Sequence, residues 1–157
     1  MTLANCCTGY GREIALRMLF FNEDPPWEDP ALYDWPITEF RAILHKTADP
    51  GEAGTAGTNV ADYTSYADVT INRNTAAWTL SGGGTFTPSI SNTNSISWPQ
   101  NTGTDQNIYA VTLALRSAAP ANIEVARDAF AAVTVDGDAA SGDTPRVGAG
   151  GLTFTVK

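Results

Sequence analysis

At 157 residues, 43% hydrophobic and 17% charged, the chain has the size and composition of one ordinary domain. A chain near this length buries roughly 70% of the surface its unfolded form exposes, so folding requires no metal or disulfide staple. Nine Lys and Arg stand against 17 Asp and Glu, a formal net charge of −8, which is the wrong sign for gripping phosphates and argues against a nucleic-acid partner.

The first residues carry no basic region ahead of an apolar stretch, and no apolar run is long enough to span a bilayer. Neither a signal peptide nor a membrane anchor is expected, and the product is expected to start in a cytoplasm. Cys6 and Cys7 are sequence neighbours; a bridge between them would be strained, so they form no disulfide framework. Residues Gly11 to Phe21 lack Pro and internal Gly and carry Glu13 near their start. Ile14, Met18 and Phe21 fall on one helical stripe, with Ala15 and Leu19 beside it, which predicts a short helix. Phe20 lies on another face and adds apolar surface beyond what one stripe against one sheet needs, so the helix is a candidate docking element.

Asn22 and the Pro25-Pro26 pair end the helix, because proline cannot donate into the ladder and pushes its predecessor out of the helical basin. From Glu23 to Trp35 follow five carboxylates, three prolines, two tryptophans and no basic residue. Such a segment builds no core and must drape on something. Trp27 and Trp35 are its anchors, since burying an aromatic side chain is worth about 1.5–3 kcal/mol. The surface they reach is either the chain's own domain or another subunit. Ile14, Met18, Phe20, Phe21, Trp27 and Trp35 are therefore the candidate partner-binding residues, on an N-terminal helical and extended arm spanning residues 1–36.

Residues 37–157 carry a different rhythm. Thr38 to His45 alternates with Phe40, Ala42 and Leu44 on one side, and the Asp49-Pro50-Gly51 turn signal follows. Short apolar runs recur at Val69 and Ile71, Trp78 and Leu80, Ile90, Ile96 and Trp98, Tyr109 to Leu115, Ile123 to Val125, Val133 to Val135, and Leu152 to Val156. Between them stand clusters of Gly, Asn, Ser, Thr and Pro. This pattern predicts a mainly β fold, a β-sandwich of jelly-roll or Greek-key type. In the closing strand, Leu152, Phe154 and Val156 alternate with Thr153, Thr155 and Lys157, giving one buried and one wet face.

Chemistry is sparse. His45 is the one histidine and is expected at a strand end near the surface, with no partner histidine for a metal cage. No nucleophile elbow, zinc-protease helix or Walker loop occurs, and Gly82-Gly83-Gly84 lacks a following Lys-Ser/Thr, so it is expected to be a hairpin connector. Asp136, Asp138 and Asp143 place three carboxylates in one loop, a weak candidate for a hard cation. Ala140 and Val147 depart from the EF-hand pattern, and Gly137 and Gly142 explain the loop as turn chemistry. No cofactor, catalytic residue or enzymatic activity is expected. A carbohydrate-binding module would use Trp78, Trp98 or Tyr109 as stacking platforms, but their alternating apolar contexts place them in the core.

Leu44-His45, Thr47-Ala48-Asp49-Pro50-Gly51-Glu52-Ala53-Gly54 and Ala61-Asp62-Tyr63-Thr64-Ser65-Tyr66-Ala67 together resemble the signature of small bacteriophage virion proteins. In that group Leu-His-Thr-Ala-Asp-Pro-Gly precedes a Tyr-x-x-Tyr-Ala repeat, and its members are customarily labelled tail-fibre-like. The resemblance continues through Ala77 to Gly82, Asn92 to Pro99 and Ala149 to Thr153, departing where Lys46 follows His45 and where Tyr109 to Arg116 lacks the usual His/Gly-rich wording. It implies a structural virion role, carries over no catalytic residue, and places the product in the virion after assembly in the host cytoplasm. A tail fibre also needs a shaft with repeats or heptads and a recognition tip, neither of which is present, so a capsid decoration protein is favoured. The expected partners are the major capsid protein, or tail proteins as the alternative, together with further copies of the chain in a homo-oligomer.

Overall fold

The computed structural model describes residues 9–23, 38–47, 59–85, 87–115 and 123–155. The fold is mainly β with one short N-terminal helix, and the chain divides into two compact units. One unit comprises residues 1–38, 72–95 and 148–157; the other comprises 39–71 and 96–147.

In the first unit, helix α1 spans Gly9–Phe21. It begins two residues earlier than the sequence predicts, which moves Glu13 out of the first turn. The helix ends where Asn22 adopts φ +57°, the left-handed position that asparagine tolerates after a helix C-terminus. The last-turn carbonyls of Met18 and Leu19 accept from the buried Arg73 guanidinium at 2.7 and 2.6 Å. A distant side chain thus satisfies acceptors that the helix itself leaves open.

A three-stranded antiparallel sheet completes this unit, in the order β3 (Trp78–Ser81), β4 (Ser89–Asn92), β9 (Thr153–Thr155). Phe20 meets Trp78 edge-on at 4.8 Å between ring centroids and stacks on Phe154 at 5.4 Å. Aromatic pairs of this kind add about 0.5–1.5 kcal/mol beyond area burial. The expected docking role of Phe20 is thereby corrected: its ring is buried against the sheet. Leu16, nearest to Phe20 around the helix, is buried too. The stripe assigned from the sequence lies roughly half a turn away, with Ile14 buried and Met18 and Phe21 half-buried. Asn92 ties the sheet to the 148–152 turn, donating to Gly148 O and accepting from Leu152 N, each at 2.8 Å.

The second unit holds a four-stranded sheet in the order β2 (Val69–Asn72), β1 (Glu39–His45), β6 (Gln106–Leu115), β7 (Ile123–Val135). The β1–β6 and β6–β7 ladders are antiparallel. β6 is an inner strand, buried continuously from Ala110 to Leu115, as strands covered on both faces are. β1 is inner as well. Phe40, Ala42 and Leu44 are buried as expected, and the alternation holds through Ala42; beyond it Ile43 and His45 on the other side are buried as well. His45 is fully buried opposite Ala110 and bridges to Val60, correcting the expected surface position.

β7 joins into one 13-residue strand what the sequence separates into two. Its register against β6 slips between Ile108 and Ala110 and again between Leu113 and Ala114, and such bulges bend an outer strand and increase its twist. A short antiparallel pair, β5 (Ile96–Ser97) with β8 (Arg146–Val147), gives the unit its second sheet. The sequence does not foresee β8. Just past β5, Trp98 is buried and donates from Nε1 to Ala42 O of β1 at 3.1 Å, so the small pair is fastened to the large sheet in a sandwich-like layering.

Candidate functional site

Within the second unit, the layering leaves a cleft of about 300 Å³. Its floor is built from inner-strand residues of the large sheet, Leu44 of β1 with Ile108 and Val111 of β6, and from Trp98. Val133 and Val135 of β7, with Pro145 and Val147, complete its apolar lining. The polar contributors are Thr134, Asp143, Thr144 and Arg146. Val133 is 54% exposed and is the one large exposed hydrophobic among the described residues. Along the ladder, β7 pairs on one side only among the described strands. An outer strand presents unpaired N–H and C=O groups to any chain that approaches it.

The rim is held in place by hydrogen bonds within the second unit. Asn101, fully buried, donates from Nδ2 to Thr104 O at 2.8 Å and Val135 O at 3.1 Å, and its Oδ1 accepts from Gly103 N at 3.0 Å. Its backbone donates to Asp143 O and accepts from Asp138 N. Gly142 lies so close that a Cβ there would sit 1.8 Å from Asn101 O, so this turn requires glycine for space. Trp98 N adds a bond to Pro145 O at 2.9 Å.

Two of the three loop carboxylates, those of Asp138 and Asp143, are engaged by the same scaffold. Asp143 Oδ2 accepts from Asp136 N, and Asp138 Oδ1 accepts from Ala140 N and Ser141 N. Those backbone donors hold the Asp138 carboxyl below its ordinary range. Among the described residues, no three His, Cys, Asp or Glu gather as a metal would need. The cleft pairs no nucleophile with a base: it offers two threonine hydroxyls, one carboxylate already accepting from backbone, and one guanidinium.

The signature tyrosines also hold the second unit together. Tyr63 and Tyr66 meet edge-on at 5.2 Å; Tyr63 Oη donates to Pro99 O, and Tyr66 Oη accepts from Leu44 N while donating to Asp68. Burial pushes the Tyr63 phenol up to about 12 and raises Tyr66 further. Arg41 is ion-paired with Asp68, and Lys46 with Asp62.

None of Ile14, Met18, Phe20 or Phe21 lines the cleft, and Trp27 and Trp35 lie outside the described residues, as do Cys6 and Cys7. Trp78 and Trp98 are buried with their indole N–H groups donating to Asn72 O and Ala42 O, the core placement expected from their alternating apolar contexts. Gly82-Gly83-Gly84 joins the paired strands β3 and β4, as expected of a hairpin connector, and Gly84 N donates to Glu13 Oε2 at 2.7 Å. The hydrogen bond from Arg17, with this one from Gly84, holds the Glu13 carboxyl below its usual value.

The cleft is not legible in the sequence because its parts come from five places in the chain. Val133 and Val135 are visible as a strand, yet nothing local marks Pro145-Arg146-Val147 as part of the same lining. No helix among the described residues is long and apolar enough to cross a membrane. No family model, curated protein or solved structure matches the chain.

Proposed function

We propose that the chain is a bacteriophage virion structural protein, and specifically a capsid decoration protein that binds and stabilises the assembled head as a homo-oligomer, through protein contact and not through catalysis. The observation that carries this reading is the apolar cleft beside outer strand β7, with Val133 exposed at its mouth and a rim fixed by Asn101. A preformed apolar surface with few polar groups suits an anchoring side chain from another protein. The net charge of −8 agrees with an exterior position, since a surface facing packaged DNA gains from basic charge. The sequence's resemblance to small bacteriophage virion proteins supports this setting.

The test is sedimentation of the purified chain with undecorated heads and, separately, with isolated tails. Saturable binding to heads at a fixed copy number per capsomer, with greater head resistance to heat, is the expected result. Binding to tails alone would replace the reading with that of a tail-associated protein. Binding to neither refutes a virion role.

A further inference from the structure

We infer that the cleft face of the second unit is a two-fold interface between copies of this chain, in which Val133 of each copy covers the mouth of the other's cleft and Arg146 of each pairs with Asp143 of the other. The inference rests on the contact role proposed above and names the protein that meets the cleft. Three observations lead to it.

First, a two-fold interface uses one patch twice, so that patch must carry both halves of every contact. This face does. Its apolar projection is Val133, exposed at the cleft mouth, and its apolar recess is the cleft itself. Its charges are one cation, Arg146, and one carboxylate, Asp143, both exposed and both lining the cleft. Strand β7 pairs on one side only among the described strands, so no described strand stands between Val133 and an arriving copy.

Second, the two charges stand three residues apart and do not pair with each other. Among the described residues neither Asp143 nor Arg146 enters an ion pair, whereas Arg17, Arg41 and Lys46 are all ion-paired. Both are held in position by the rim. Asp143 Oδ2 accepts from Asp136 N, and the Asp143 backbone donates to Asp136 O and accepts from Asn101 N. Arg146 stands in β8 opposite Ser97. A two-fold axis through the cleft mouth brings each charge to its opposite, and a rim already ordered loses little freedom on association.

Third, a chain of net charge −8 repels its own copy at long range. The approach is least opposed where both signs are present, and the cleft lining carries one of each. Like charges would meet if the axis were moved so that Arg146 faced Arg146, so the charge pattern also selects the register of the two copies.

The experiment is analytical ultracentrifugation of the full chain over a concentration series. The parent should dimerise reversibly. Val133→Asp should weaken the dimer by roughly tenfold or more, and so should Arg146→Glu, which sets like charges opposite each other at both sites. Asp143→Lys should do the same with the other sign. An equimolar mixture of Arg146→Glu and Asp143→Lys chains should then dimerise about as tightly as the parent, because each chain meets its opposite charge at both sites. Thermal melts establish which variants are folded. If Asp143→Lys is not, Val133→Asp and Arg146→Glu, both on exposed residues, decide the matter without it. A parent monomeric at every concentration, or a dimer indifferent to Val133→Asp and Arg146→Glu, overturns the interface. So does a mixture of folded charge variants that associates no better than either alone. Failure of the virion role reads differently: a parent that dimerises through this face yet binds neither heads nor tails keeps the interface and loses the role. Conversely, a parent that decorates heads but never dimerises in solution keeps the role and loses the interface.

Discussion

Replacing Asn101 by alanine tests whether the cleft rim is built by one buried amide. The side chain makes three hydrogen bonds, to Thr104 O, Val135 O and Gly103 N, all within 2.8–3.1 Å. At about 1 kcal/mol net for each, their loss costs ~3 kcal/mol, and more if Val135 O is left buried without a donor. For a chain of this length each kcal/mol lowers Tm by about 2–4 °C, so a fall of roughly 6–12 °C is expected. Asn101→Asp sharpens the test. It keeps the shape and the acceptor for Gly103 N but turns two donors into an ionised oxygen facing two carbonyls, and should destabilise more than alanine does. Calorimetry reads the global effect and amide exchange the local one, with the Asp138, Gly142 and Asp143 N–H groups losing protection because their partners belong to the same loop. An alanine variant within about 1 kcal/mol of the parent, with protection at these three amides intact, would refute the assignment of Asn101 as the organiser of the rim.

Gly142→Ala should prevent the second unit from folding normally, because the added Cβ would lie 1.8 Å from a backbone oxygen. Gly84→Ala meets open space at φ +74° and should cost only about 1 kcal/mol; melts of the two variants side by side check the contrast. Glu13 has a depressed carboxyl pKa in the folded chain, so it contributes stability above its ordinary value of 4.5 that is lost as pH falls through the folded value. Glu13→Gln should flatten the acid limb of a stability-versus-pH curve measured by urea unfolding, and an unchanged limb would dismiss the Arg17–Glu13–Gly84 linkage. At the alkaline end the sign reverses. The phenols of Tyr63 and Tyr66 are raised above their ordinary value of 10, so their contribution is complete below that pH and fades as pH rises toward and beyond 12. Tyr63→Phe with Tyr66→Phe should remove that fade. EDTA should leave Tm of the parent unchanged, because the Asp138 and Asp143 carboxylates of the 136–143 loop are engaged by backbone N–H groups; a fall of several degrees would instead reveal a bound cation.

Most strands were legible because their signal is local. Val69–Asn72, Trp78–Ser81 and Thr153–Thr155 each show apolar residues two apart between turn formers, and period two is the geometry of a strand with one wet face. The same local signal misleads where pairing is non-local. Ala42 to His45 reads as alternating, yet it sits between two neighbouring strands and is buried throughout. The Ala-rich stretch between Val125 and Val133 has no alternation, but its N–H and C=O groups complete the β6 ladder, so one strand runs where the sequence suggests two. Arg146-Val147 is too short to show any period and exists as a strand because Ile96-Ser97 lies opposite. The Asp-rich loop was legible as turn chemistry, but its organiser was not, since Asn101 lies 34 residues before Val135, whose carbonyl it holds.

The helix shows why periodicity alone does not tell which of its apolar faces is buried. Successive helical residues turn by about 100°, so Ile14, Met18 and Phe21 do share a face, and Leu16 with Phe20 lies about half a turn from it. A helix apolar on two faces carries no internal instruction about which one meets the sheet. The deciding contacts are the rings of Trp78 and Phe154, contributed by strands that follow Phe20 by 58 and 134 residues. Once those rings take Phe20, and Arg73 takes the carbonyls of Met18 and Leu19, the helix is committed to its own unit. Surplus apolar surface then has to be sought elsewhere. Among the described residues it lies at Val133, on an outer strand whose neighbours were read as ordinary β-sheet. A surface of that kind is invisible to periodicity, because periodicity reports which side of a strand is apolar and says nothing of whether another layer covers it.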